Sequence, residues 1–286
     1  MLAAALAALA LYLLVLALAA YIATHPPRSP MFLSPAALGA PMEEVEFSSR
    51  DGTLLRGWWV PAENARGVAI LLHGYVMNRS ENAALAAEMR RWGFSCLLFD
   101  FRNCGRSAGA VTTVGHNERL DVLAACDYVA NRKPAAKRVL IGSSMGAAAA
   151  AFALAEEPDC AEALVLDSCY SSLPSATLGW WRWLGGMPLV LLLAPVVIAA
   201  MPIARFNTYR ADVGRALRSV RKPTLIVHGT EDLMVHPRHA ERNLRLAACA
   251  EVRWMPDVGH GEARWSTPHR LYETLYDFLK PLFPGE

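Results

Sequence analysis

From residue 68 onward, short apolar runs alternate with longer helix-like stretches. Apolar runs of four or five residues are typical of strands buried on both faces of a sheet. The runs are Val68–Leu72, Ser95–Phe99, Arg138–Ile141, Ala163–Leu166, Thr224–Val227 and Val252–Met255. The helix-like stretches are Glu81–Trp92, His116–Asn131, Met145–Glu156, Pro237–Ala248 and Thr267–Leu282.

Two further strands are predicted ahead of this alternation. They are Glu43–Ser49 and Thr53–Val60, and the Asp51-Gly52 pair between them is typical of a hairpin turn. Strands that alternate with helices predict a mainly parallel sheet of eight strands flanked by helices. Ligands bind beyond the carboxyl ends of such strands, so the loops that follow the strands are where chemistry is expected.

The chain begins with an uncharged apolar segment at residues 2–24. About 20 helical residues cross the hydrocarbon core of a membrane, so this segment is long enough to be a transmembrane helix. We therefore expect a single-pass anchor at residues 1–24, a proline-rich linker at 25–42 and a catalytic domain at 43–286. Arg28 is the one basic residue close to the segment, and it weakly favours a cytoplasmic catalytic domain. A cleaved signal peptide, with Ala17-Leu18-Ala19 at its cleavage site, and a buried helix remain alternatives.

The strand ending at Ile141 is followed by Gly142-Ser143-Ser144-Met145-Gly146 and then by an alanine-rich helix. This is the G-x-S-x-G pattern, in which a sharp strand-to-helix turn exposes the serine oxygen and tolerates only small neighbours. Ser144 is therefore the candidate nucleophile. The alternative is a glycine-rich turn in which Ser144 only caps the helix.

A nucleophilic serine needs a base and an orienting carboxylate, and both candidates follow predicted strands. His260 lies in the glycine-rich loop after the last strand, and Asp232 follows the strand Thr224–Val227. Asp167 is the main rival for the carboxylate. Glu231 and Asp257 are weaker candidates.

Two backbone N–H groups are needed to stabilise an oxyanion. The residue after the nucleophile, Met145, supplies one. The loop after Leu72 reads His73-Gly74-Tyr75, and we expect the second from Tyr75. Gly74 permits the close approach of the backbone that this role requires.

These motifs, taken in order, resemble the α/β-hydrolase superfamily, and are most similar to its membrane-anchored, serine-aminopeptidase-like branch. The resemblance covers roughly residues 45–284 and includes the stretch Asp100–Ser107, which it implies is structural. It implies an α/β-hydrolase fold with a helical lid. It also implies hydrolysis of an ester, thioester, lipid or peptide without a cofactor.

A second apolar segment, at about 170–210, lies where this fold inserts its lid. Met187–Ile203 carries no charge but contains three prolines. A membrane span here would place Ser144 and Asp232 on opposite sides of the membrane, so we expect a lid. It either covers an acyl-binding pocket, dips into the membrane interface or packs on the core.

Charge and composition exclude other classes of function. The formal net charge is +2, which argues against a nucleic-acid partner. No Cys-x-x-Cys pair or Cys/His cluster has the spacing of a zinc site, so no metal is expected. The sequence thus predicts a serine hydrolase of apolar acyl substrates. An aminopeptidase and a non-catalytic membrane scaffold are the alternatives.

Overall fold

The computed structural model describes residues 1–109 and 111–285. Within them, eight strands form one sheet. The strands are β1 (Glu43–Ser48), β2 (Leu54–Val60), β3 (Gly67–Leu72), β4 (Phe94–Phe99), β5 (Arg138–Ser143), β6 (Ala163–Asp167), β7 (Thr224–Gly229) and β8 (Ala250–Met255). Their order across the sheet is β1-β2-β4-β3-β5-β6-β7-β8. Strand β2 is antiparallel to both of its neighbours, and all the other pairs are parallel.

Ten helices accompany the sheet in the described part of the chain. They are α1 (Leu2–Thr24), α2 (Ala83–Arg91), α3 (Arg119–Arg132), α4 (Met145–Glu156), α5 (Leu173–Leu193), α6 (Val196–Ala204), α7 (Val213–Ala216), α8 (Arg238–Leu246), α9 (Ala263–Ser266) and α10 (Pro268–Leu279). Helices α3, α4 and α8 cover one face of the sheet, and α2 and α10 cover the other. The predicted α/β-hydrolase fold, with its eight-stranded, mainly parallel sheet, is confirmed.

Local chemistry explains where the helix boundaries differ from the prediction. Helix α3 begins three residues later than expected, and the Glu118 carboxylate binds the turn that precedes it. It accepts hydrogen bonds from the Thr113 and Gly115 N–H groups and from the hydroxyls of Thr112 and Thr113. The turn satisfied in this way cannot also be helical.

The segment expected to separate the N-terminal helix from the core is fastened to it instead. The Arg28 guanidinium donates to the carbonyl oxygens of Gly105 and Ser107, at 2.9 and 2.7 Å. The Asn78 amide donates to the carbonyl oxygens of Ser29 and Pro30. The segment therefore holds the end of α1 against the catalytic face rather than spacing it away.

Helices α5 and α6 occupy the segment expected to be a lid, and we call residues 173–204 the lid. Helix α5 breaks at Gly185 and Gly186, where Gly186 has a φ of +68°. The chain then turns by 77° between α5 and α6. Helix α1 packs on these two helices through an apolar cluster of Leu16, Ala20, Trp181, Val196, Val197 and Ala200.

Candidate active site

Ser144 lies in the turn between β5 and α4, with φ 48° and ψ −107°. A positive φ is strained for a residue that carries a Cβ, and such strain is common at functional sites. Gly142 and Gly146 on either side of Ser144 have no room for a side chain. A Cβ on Gly142 would lie 2.4 Å from the Ala147 nitrogen, and one on Gly146 would lie 2.5 Å from the Leu72 oxygen. The G-x-S-x-G pattern therefore has its expected structural setting.

Three side chains form a continuous hydrogen-bonded chain at the carboxyl end of the sheet. The Ser144 Oγ lies 3.0 Å from the His260 Nε2, and the His260 Nδ1 lies 2.8 Å from the Asp232 Oδ2. Asp232 is fully buried. Its other oxygen, Oδ1, accepts from the N–H groups of Met234 and Val235, at 3.1 and 2.7 Å. With Nδ1–H directed at the carboxylate, Nε2 is free to accept the serine proton.

The rival carboxylates are placed elsewhere. The Asp167 Oδ2 accepts from the Arg264 Nη2 at 2.7 Å, and its Oδ1 accepts from the Ser168 hydroxyl at 3.0 Å. Glu231 and Asp257 are exposed on the surface. The structure therefore brings Asp232, rather than these three, to the histidine.

The loop after β3 lies beside Ser144. A Cβ on Gly74 would lie 3.8 Å from the Ser144 Cβ. The Gly74 N–H donates to the Glu81 Oε2 at 2.6 Å. Among the hydrogen bonds of residues 1–109 and 111–285, none uses the backbone N–H of Tyr75 or of Met145. Both of these donors remain available to a ligand.

His73 fixes the same loop from the side of the core. Its Nε2 accepts from the Phe101 N–H at 3.0 Å, so the ring proton lies on Nδ1, which donates to the Gly74 oxygen at 2.7 Å. The stretch Asp100–Ser107 is likewise tightly bonded. The Asp100 carboxylate accepts from the N–H groups of Arg79 and Arg106, at 2.8 Å in each case. These contacts agree with the structural role implied for that stretch.

Sequence reasoning missed a buried ionic network behind the site. The Arg264 side chain is 8% exposed and lies between Glu81 and Asp167, with N–O distances of 3.1 and 2.7 Å. Burial lowers the pKa of Arg264, but the charges of Glu81 and Asp167 outweigh this and raise it. No motif links these three positions, which are far apart in the sequence.

This network connects the two loops that flank Ser144. At one end, Glu81 holds the Gly74 N–H of the loop after β3. At the other end, the Ser168 hydroxyl donates to Asp167 and accepts from the Gly261 N–H at 3.0 Å. The residue next to His260 is thereby tied to the same arginine, which makes the network a support for both loops.

A cavity of about 580 Å³ opens beside Ser144 and His260. Its walls are mostly apolar and come from the lid, from α1 and from the loop after β3. They include Ala19, Ile22, Ala23, Tyr75, Trp180, Trp181, Val196, Val197, Ala200 and Phe206. Among the described lining residues, Glu81 is the one carboxylate, and its oxygens already bind Gly74 and Arg264. The cavity therefore suits an apolar group better than a cation.

Comparison with known proteins places these features in context. The family model described as serine aminopeptidase, S33, matches residues 63–208. The uncharacterized protein YfhR of Salmonella typhi is 29% identical over 261 residues, which cover 84% of this chain and 82% of YfhR. The α/β-hydrolase domain-containing protein WAV2 of Arabidopsis thaliana is 25% identical over 88% of this chain and 83% of its own. Among solved structures, the Pyrococcus furiosus esterase Pf2001 has a TM-score of 0.74 at 26% identity, covering 90% of this chain and 97% of its own.

Proposed function

The chain belongs to the serine aminopeptidase S33 family of α/β-hydrolases, and on that premise we propose that it is a serine hydrolase of apolar esters, thioesters or lipids. The observation that carries the proposal is the hydrogen-bonded chain from Asp232 through His260 to Ser144 beside an apolar cavity. The likeness to the Pyrococcus furiosus esterase supports an acyl substrate.

The first half of the reaction forms an acyl-enzyme. The Ser144 oxygen attacks the substrate carbonyl while the His260 Nε2 takes the hydroxyl proton. Asp232 stabilises the resulting imidazolium, and the N–H groups of Tyr75 and Met145 bind the oxyanion. The tetrahedral intermediate then collapses, and His260 passes its proton to the leaving oxygen or sulfur.

The second half releases the acyl group. His260 takes a proton from water, and the water oxygen attacks the ester bond of the acyl-Ser144. Collapse of the second tetrahedral intermediate returns the proton from His260 to the Ser144 oxygen and frees a carboxylic acid. These steps require no metal or organic cofactor.

The cavity favours an acyl substrate over the N-terminus of a peptide. An aminopeptidase needs a free carboxylate to bind the substrate ammonium group. Glu81 is the one carboxylate among the described lining residues, but it is already paired with Arg264 and Gly74.

We also propose that α1 anchors the enzyme in a membrane, with its catalytic domain in the cytoplasm. Its 23 apolar residues are long enough to cross a bilayer.

Fluorophosphonate labelling of the full-length protein in detergent tests the proposal. The wild type should be labelled and should cleave short p-nitrophenyl esters. Ser144→Ala should lose the labelling and lower turnover by at least about 10³-fold. The matched control is Ser143→Ala, which changes the neighbouring buried serine and should keep both activities. Labelling that survives in Ser144→Ala but not in Ser143→Ala would refute the assignment, and an unlabelled wild type would favour a non-catalytic scaffold.

A further inference from the structure

We propose that the last two turns of α1 are a wall of the substrate site, so that the acyl chain of a membrane lipid lies against α1 and α6 while its ester reaches Ser144. This inference rests on the proposed hydrolase function and names its substrate class. It gives the N-terminal helix a role in binding in addition to that of an anchor.

The first observation is the position of the cavity. Ala19 and Ala23 of α1 line it together with Val196 and Ala200 of α6. Residues four apart lie on the same face of a helix, so Ala19 and Ala23 present two small side chains to the cavity from one face of α1. Their methyl groups leave room for a ligand that larger side chains would fill.

The second observation is that α1 is bonded to the catalytic loop. The Tyr75 hydroxyl donates to the Ala23 oxygen at 2.9 Å, and the Thr112 N–H donates to the Thr24 oxygen at 2.9 Å. Tyr75 is also the residue whose backbone N–H is proposed to bind the oxyanion. The end of α1 thus helps to position the loop that activates the substrate carbonyl.

The third observation is how far the lid extends along α1 from its C-terminal end. The Tyr12 hydroxyl donates to the Leu192 oxygen at 3.0 Å. Tyr12 precedes the end of α1 by 12 residues, which is about 18 Å of helix. If α1 crosses a bilayer whose hydrocarbon core is about 30 Å thick, the lid reaches roughly its middle.

The outer surfaces of these helices fit that position. Leu191 and Ile198 of the lid are 73% and 60% exposed, and Leu9 and Leu13 of α1 are more than half exposed. Apolar side chains exposed to this extent on adjoining helices need a cover, and neither residues 2–24 nor Met187–Ile203 carry a charge. Lipid hydrocarbon supplies that cover, and the cavity lined by α1 and α6 then lies within reach of lipid acyl chains.

Larger side chains at the cavity-lining positions test whether α1 forms a wall of the substrate site. We expect Ala19→Phe to lower the ratio of kcat/KM for decanoyl to acetyl p-nitrophenyl esters at least about tenfold, since each buried methylene contributes up to about fourfold. Ala200→Phe, at the lining position of α6, should do the same. Ala17→Phe is the matched control because Ala17 is exposed and does not line the cavity. It should keep the wild-type ratio.

The outcomes separate this inference from the proposed function. Wild-type protein that cleaves no ester would refute the function itself. Active variants at positions 19 and 200 that keep the wild-type ratio would overturn the pocket wall and leave the function intact. The same result follows if the control at position 17 lowers the ratio equally.

The membrane source of the acyl chain has its own test. Full-length protein is reconstituted in phosphatidylcholine vesicles with a long-chain fluorogenic ester dissolved in the same bilayer. We expect faster hydrolysis than when the same amount of ester is presented on serum albumin. An equal or slower rate from the bilayer would show that the chain enters from solution.

Discussion

Replacing Arg264 by methionine removes the cation shared by two buried carboxylates. The side chains of Glu81 and Asp167 are 7% and 6% exposed, and Arg264 lies within 3.1 Å of both. Arg264 also donates to the Asn82 oxygen at 3.0 Å. Methionine has a similar length and is apolar, so Arg264→Met removes the charge while retaining much of the packing.

The expected loss is large because the remaining charges stay buried. Removing one partner of a buried ion pair costs about 3–5 kcal/mol of unfolding free energy. For a domain of this size, each kcal/mol lowers Tm by about 2–4 °C, so Tm should fall by roughly 6–20 °C.

Thermal unfolding of detergent-solubilised protein, followed by circular dichroism, measures this effect. The matched control is Arg270→Met, which changes an exposed arginine of α10 and should shift Tm by no more than about 2 °C. Fluorophosphonate labelling of the folded variant should also slow, because Glu81 holds the Gly74 N–H beside Ser144. Equal shifts in the two variants would refute the role assigned to Arg264.

Three further predictions follow from the site and its surroundings. Asp232→Asn should lower turnover by about 10⁴-fold, as in the chymotrypsin-type triad. Asp167→Asn should mainly lower Tm. If the folded Asp167→Asn variant loses more turnover than the folded Asp232→Asn variant, Asp167 is the carboxylate that orients His260. Burial lowers the pKa of His239 from 6.5 to about 4, so the unfolded state binds more protons between these values and stability falls as pH drops through them. His239→Gln should flatten that slope in urea unfolding measured from pH 7 to pH 4, and an unchanged slope would contradict the argument. Deleting residues 1–24 should leave a labelled, folded domain without the preference for long acyl chains, and a truncated enzyme that keeps the wild-type chain-length profile would leave α1 as an anchor alone.

The sheet and the position of the site follow from local patterns in the sequence. Fully buried strands such as β3 and β4 are nearly continuous apolar runs, so their number and their positions along the chain can be predicted without a structure. Ser144, Asp232 and His260 each follow a different strand of the parallel part of the sheet. Parallel topology places the carboxyl ends of those strands at one edge, which is why three distant loops meet there.

The supporting contacts were not predictable for a physical reason. Arg264 of α9 and Asp167 at the end of β6 are 97 residues apart, and their pairing depends on how the fold brings these two elements together. Hydrophobic periodicity identifies which face of an element is buried, but it does not reveal which polar groups meet across two elements. The hydrogen bonds of Glu118 before the start of α3 were missed for the same reason. Its carboxylate oxygens accept from N–H groups of an irregular turn, which leaves no periodic pattern in the sequence.

Hydropathy alone does not determine the role of the N-terminal helix. An anchor, a cleaved signal and a core helix all require a long apolar run, so residues 2–24 fit each of them. We prefer a retained helix because of the contacts that it makes. Cleavage after Ala19 would remove Leu16, which packs against the lid, and Tyr12, whose hydroxyl binds the Leu192 oxygen. A segment discarded after translocation has no reason to support the lid and line the cavity, so this packing favours a helix that is retained and that takes part in binding the substrate.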